Sequence, residues 1–124
     1  MTDQPTKIRT LFCVSVQQTF FDLPWSDIGE VWAAFGQMMA GIQAMHGVEV
    51  LGTLDDDQTM VGASSNGFPF TAYILADMPD RDTVTAACNL FRTLPVGDSG
   101  HRLWKYCSVE ARMGRALEIP ALAQ

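Results

Sequence analysis

The chain has 124 residues, 48% of them hydrophobic and 18% charged, with a net charge of −6. That length and apolar content suit one domain with a real core. The acidic balance argues against a general nucleic-acid binder, because neutralising phosphates needs an excess of Lys and Arg.

The opening MTDQPTKIRTLF lacks the apolar centre of a signal peptide. Gln37, Gln43 and several glycines interrupt the richest apolar segment, so no membrane span is expected. Residues 9–18, RTLFCVSVQQ, alternate along an extended chain. Phe12, Val14 and Val16 share one face; Leu11, Cys13 and Ser15 share the other. Neither is strongly charged, which predicts a strand covered on both sides. Ile28, Val31, Trp32, Phe35, Met38, Met39, Ile42 and Met45 then recur at three- and four-residue steps, predicting an amphipathic helix with Ser26 as N-cap and Gly47 as its end.

A second strand is expected over 48–57, followed by a connection, QTMVGASSNG, with room for a short hairpin extension. A third, rich in aromatic and β-branched residues, spans 68–78. Asp80 precedes a shorter helix with Val84, Ala87, Cys88, Phe91 and Leu94 on one face, stopped by Pro95 and Gly97. RLWKYCSVEAR, 102–112, alternates again as a fourth strand.

The predicted fold class is therefore α+β, a ferredoxin-like βαββαβ domain covering residues 1–124 with an ordered core of about 8–117. Both helices would cover one face of an antiparallel sheet. Whichever parity faces them, the other face keeps apolar residues: Val14 and Val16, or Leu11 and Cys13, with Tyr73 and Leu75 beside them. An apolar sheet face of this kind marks an interface. A second copy packed sheet on sheet is the simplest cover, giving a homodimer of the dimeric α/β barrel type.

Gly97-Asp98-Ser99-Gly100 repeats the residues around the nucleophile of chymotrypsin-like proteases. Those enzymes need two barrels and a histidine aimed at the serine. Here the chain is too short, and His101 lies only two residues on, so a turn between helix and strand accounts for the motif. Asp55-Asp56-Asp57 points in alternate directions on an extended chain and lacks the spacing of a calcium loop, so no metal site is expected. Cys13, Cys88 and Cys107 show no metal-ligand spacing and lie in apolar runs, as reduced buried thiols of a cytoplasmic protein would.

His46, at the end of the first helix, is a proton-transfer candidate, against a plain role at the helix C-terminal dipole. His101 is the other, against a solvated strand end. Phe70, Tyr73, Trp104 and Tyr106, with Phe68, offer flat apolar walls; Asn89, Arg92 and Arg102 offer polar contacts. Such a mixture suits a pocket for a flat ligand, although aromatics also build cores. Five of the eight basic residues (Arg92, Arg102, Lys105, Arg112 and Arg115) fall in the last third. That points to a carboxylate on the ligand, because Arg pairs with carboxylates in a fork. No P-loop, dinucleotide fingerprint or flavin motif occurs, so chemistry without a cofactor is expected.

Four stretches, RTLFCVSVQQTF, VLGTLDDDQTMVG, ACNLFRTLPVGD and LWKYCSVEARMGRAL, together resemble the IacB-like family, small proteins encoded with the enzymes of bacterial indoleacetic acid degradation. The resemblance implies the dimeric α/β barrel and a link to catabolism of an indole or related aromatic acid; it carries no catalytic residues. Two functions follow as expectations. One is a cofactor-free enzyme (isomerase, ring-opening enzyme or monooxygenase) acting on an oxidised indole or aromatic carboxylate. Trp104, Tyr106 and Phe70 would be its walls, Arg92 or Arg102 the carboxylate clamp, and His101 or His46 the proton carrier. The other is a ligand-binding or accessory protein of the same pathway. A purely structural dimer, with every aromatic in the core, is the third reading.

Overall fold

The alternating run near the start forms β1 (Ile8–Val16), which is hydrogen-bonded on both edges. The computed structural model describes residues 7–56 and 70–120 of the chain. After β1 come a short helix α1 (Gln18–Phe21), a 3-10 turn (Trp25–Asp27) and the long helix α2 (Ile28–Ala44). Then follow β2 (Glu49–Asp55), β3 (Ala72–Met78), α3 (Arg81–Thr93), a second 3-10 turn (Leu103–Lys105) and β4 (Cys107–Gly114). The strands form one antiparallel sheet in the order β2-β3-β1-β4. This is an α+β architecture, compatible with the ferredoxin-like class.

The register decides which face meets the helices. Phe12 lies opposite Ile74 and Ala111, and Val14 opposite Ala72 and Val109. Phe12, Val14, Ile74, Ala76 and Met78 share one buried cluster with Val31, Ala34, Met38 and Ile42 of α2 and Val84, Ala87 and Phe91 of α3. The even-numbered side of β1 is therefore the helix side. Leu11, Cys13, Tyr73 and Leu75 fall on the outer side. Cys13 is only 2% exposed there, and Leu11, Tyr73 and Leu75 are half-buried.

Several boundaries differ from the sequence expectation. β1 stops at Val16, because the Gln17 N–H donates to the Tyr106 carbonyl (2.7 Å) and the chain then coils into α1, which periodicity did not disclose. The long helix begins at Ile28, with Asp27 rather than Ser26 at its cap position and no side-chain cap bond. β4 begins at Cys107 instead of Arg102. The chain first doubles back on the end of α3: Arg102 bridges Pro95, and the Leu103 N–H donates to the Leu94 carbonyl (2.9 Å). That detour buries Leu103 and leaves Trp104 exposed. The expected hairpin extension, with Asp57 and Phe68, lies outside the described residues.

Gly47 has φ +80, the left-handed conformation that a glycine adopts without strain, but α2 ends at Ala44 with Met45 extended at its C-cap, so Gly47 serves the turn that follows and does not end the helix as expected. Asp80 caps α3, its carboxylate accepting from the Thr83 N–H and hydroxyl, both at 2.7 Å. The motif at 97–100 is a turn. Gly97 and Gly100 have positive φ, and the Ser99 hydroxyl donates to the Val96 carbonyl (2.6 Å). Among the described residues no helix is long and apolar enough to cross a membrane, and no group of His, Cys, Asp and Glu could hold a metal.

The two Thr83 bonds hold the Asp80 carboxyl below its ordinary range. A depressed folded pKa stabilises above the unfolded pKa and loses that stabilisation as pH falls through the folded value. Asp80→Ala is therefore expected to lower the melting temperature at neutral pH. The gap between variant and parent should narrow as the pH drops below about 4, which thermal melts across a pH series will read.

Candidate functional site

Helix α2 carries two adjoining stripes. Val31, Ala34, Met38 and Ile42 press onto the sheet. Trp32, Phe35 and Met39, one residue further round, look towards the end of the sheet where β1 leaves it. There the sheet floor is made of slim side chains: Val14, Val16, Thr53, Ala72 and Cys107, with Ile74 the largest. Bulky residues on the helix side and small ones on the strand side do not interdigitate. A cavity of about 510 Å³ remains between them. Helix α1 closes one side with Phe20 and Phe21. It is anchored by the Thr19 hydroxyl, which donates to the Lys105 carbonyl.

The aromatic wall is continuous. Ring centroids lie 5.4 Å apart for Phe21 and Phe20, 6.5 Å for Phe20 and Trp32, and 6.1 Å for Trp32 and Phe35, all edge to face. Phe21 and Trp32 are more than half exposed, so the wall reaches solvent. Polar character comes from Thr53, Asp55 and Thr71 at the sheet end.

The sequence-derived site residues are not gathered here. Tyr73 borders the cavity, but its pairing with Cys13 places its ring on the outer face, where its hydroxyl donates to the Phe70 carbonyl (3.2 Å). Phe70 itself is half-buried just before β3 and is not part of the wall. Tyr106 is buried and borders a second hollow of about 220 Å³, beside Asp27, Glu30 and Ser99. Trp104 is 58% exposed on the 3-10 turn. Asn89 and Arg92 are exposed on α3, and Arg102 is exposed beside Pro95. His101 Nε2 lies 3.2 Å from Lys105 Nζ on the surface, and His46 is exposed in the turn after α2. None of these apart from Tyr73 touches the large cavity. Their proposed convergence assumed a strand through 102–106, with alternating side chains on one sheet face. The 3-10 turn disperses them.

Phe20, Phe21, Trp32, Phe35 and Asp55 were missed as a group. Trp32 and Phe35 looked like ordinary members of an amphipathic stripe. The aromatic doublet directly after β1 was the available signal, since two adjacent rings cannot both enter the same core layer.

Among the described residues no strong nucleophile lines the cavity. Burial pushes the Cys107 thiol up to about 11, and burial likewise raises Cys88. Tyr73 is raised chiefly by desolvation, then by the charge of Asp56. Comparison with protein-family models and with curated protein sequences gave no match.

At pH 8 a thiol with a pKa near 11 is only about 0.1% thiolate. Iodoacetamide should therefore label Cys107 at least about a hundredfold more slowly in the native protein than in urea. Peptide mass mapping over a time course will show this.

Proposed function

We propose that the protein seats a flat, largely apolar ring in the cavity between α2 and the sheet. On the resemblance to the IacB-like family, it would serve indoleacetic acid catabolism in the cytoplasm as a binding protein for an indole-type intermediate. One observation carries the reading: a cavity of about 510 Å³ walled on one side by four aromatic side chains in mutual edge-to-face contact. Ligand pockets for small organic molecules run from about 300 to 1,000 Å³ and are apolar with a few polar groups at fixed places. Three free cysteines, two of them buried, fit a reducing compartment.

The geometry favours binding over turnover. Both histidines and both candidate arginines lie away from the wall, and the thiol within it is held protonated. A catalytic role would have to rest on Asp55, the one carboxylate of the lining among the described residues. Turnover of an oxidised indole by the pure protein would overturn the binding reading and restore the cofactor-free enzyme.

We also propose that the ferredoxin-like βαββαβ chains pair sheet on sheet as a dimeric α/β barrel. Supporting this, Leu11, Cys13, Tyr73 and Leu75 form an apolar centre on the outer face. Two ion pairs frame it, Arg9–Asp77 and Glu110–Arg112, each at 2.6 Å. A two-fold contact would bury the centre and leave the charges at a polar rim.

Calorimetry with indole and its oxidised derivatives should give saturable heat. Ala72→Trp, which fills the floor of the cavity, should abolish it, whereas Arg92→Ala and Arg102→Ala should change affinity less than about twofold. Loss of binding in either arginine variant, or retention in Ala72→Trp, would move the site elsewhere. For the pair, sedimentation at micromolar concentration should report a dimer, and Leu75→Arg a folded monomer. A parent chain that sediments alone refutes the barrel.

A further inference from the structure

The cavity's two sides differ in charge as well as in shape. One side is the run of four rings. On the other, Asp55 stands at the end of β2, paired with Ala72 and therefore on the helix side of the sheet. Among the described residues the lining contains no Lys, Arg or His. Residues 57–69, which follow Asp56 in the chain, contain none either. The cations among the described residues are engaged or lie outside this lining. Arg9 pairs with Asp77 and Arg112 with Glu110. Lys7 donates to the Gly47 carbonyl, and Lys105 sits beside His101 and over the Tyr106 ring. Among the described residues the Asp55 side chain takes part in no hydrogen bond or ion pair.

We infer that this cavity, taken as the ligand site proposed above, selects a ring bearing a protonated amine over one bearing a carboxylate, and that Asp55 sets the preference. A carboxylate accepts a charge-assisted bond from such a donor. An anionic ligand meets the opposite: a second negative charge beside Asp55, an apolar wall that screens poorly, and no counter-ion. The carboxylate clamp expected from Arg92 and Arg102 thus gives way to an acidic selector, and within the pathway proposed above the ligand held would be a neutral or amine-bearing indole in place of one of its acids. Because Asp55 is itself exposed to solvent, the discrimination is moderate, on the order of tenfold.

Three probes share one ring and differ in charge: indole, tryptamine and indole-3-acetate. Calorimetry on the full chain at neutral pH should find tryptamine bound about tenfold more tightly than indole-3-acetate, with indole between them. Asp55→Asn should bring the charged pair within about threefold. Added salt should weaken tryptamine and not indole, a readout that needs no variant. Indole that binds while indole-3-acetate equals or exceeds tryptamine overturns the inference and spares the cavity. So does a ratio that Asp55→Asn does not move. Failure of all three probes to bind defeats the cavity reading along with it.

Discussion

The packing of Phe12 and Val14 beneath α2 is the constraint from which the rest of the structure follows. β1 bonds to both β3 and β4, so its parity propagates through them by register. Once the even side is turned to the helices, Ile74, Ala76 and Met78 must follow, and Leu11, Cys13, Tyr73 and Leu75 must face outward. A one-residue slip would reverse every assignment. Burial of Phe12, Val14, Met38 and Ile42, each fully removed from water, resists such a slip. Each such side chain contributes about 1.5–3 kcal/mol.

The same packing explains why the cavity lies at one end. Towards the middle of α2, Ala34, Met38 and Ile42 fit the sheet closely. Towards its start, Trp32 and Phe35 meet a floor of Val14, Val16, Thr53, Ala72 and Cys107. Rings prefer other rings at a tilt, and they find Phe20 and Phe21 of α1. The aromatic run thus forms a side wall and leaves the floor uncovered. α1 in turn depends on the bond from Gln17 to Tyr106, which ends β1 where β4 begins. A main-chain contact between two strand ends therefore shapes the entrance to the cavity.

Charge follows shape. The chain is acidic overall, and its basic residues gather late in the sequence, which invited a carboxylate-binding reading. In space they scatter. Arg92 rides on the outside of α3, Arg102 flanks Pro95, and Arg112 pairs with Glu110. Proximity in sequence is a poor guide to proximity in space when a helix, a turn and a strand intervene. Asp55 took the opposite course. It looked like part of a solvated run of aspartates, and the pairing with Ala72 brings it to the cavity.

The α+β class, the helix over Ile28–Ala44, the cap at Asp80 and the turn at Gly97–Gly100 were all legible in the chain. Each depends on local periodicity or on the conformational preference of a few adjacent residues. The parity of the sheet was not legible, because β1 is apolar on both sides and no local rule breaks that tie. Nor was the 3-10 turn at Leu103–Lys105, whose cause is a main-chain bond back to Leu94 at the end of α3. The cavity was hidden for the same reason. It arises where large side chains from one element face small ones from another, and only the folded chain decides which elements face each other.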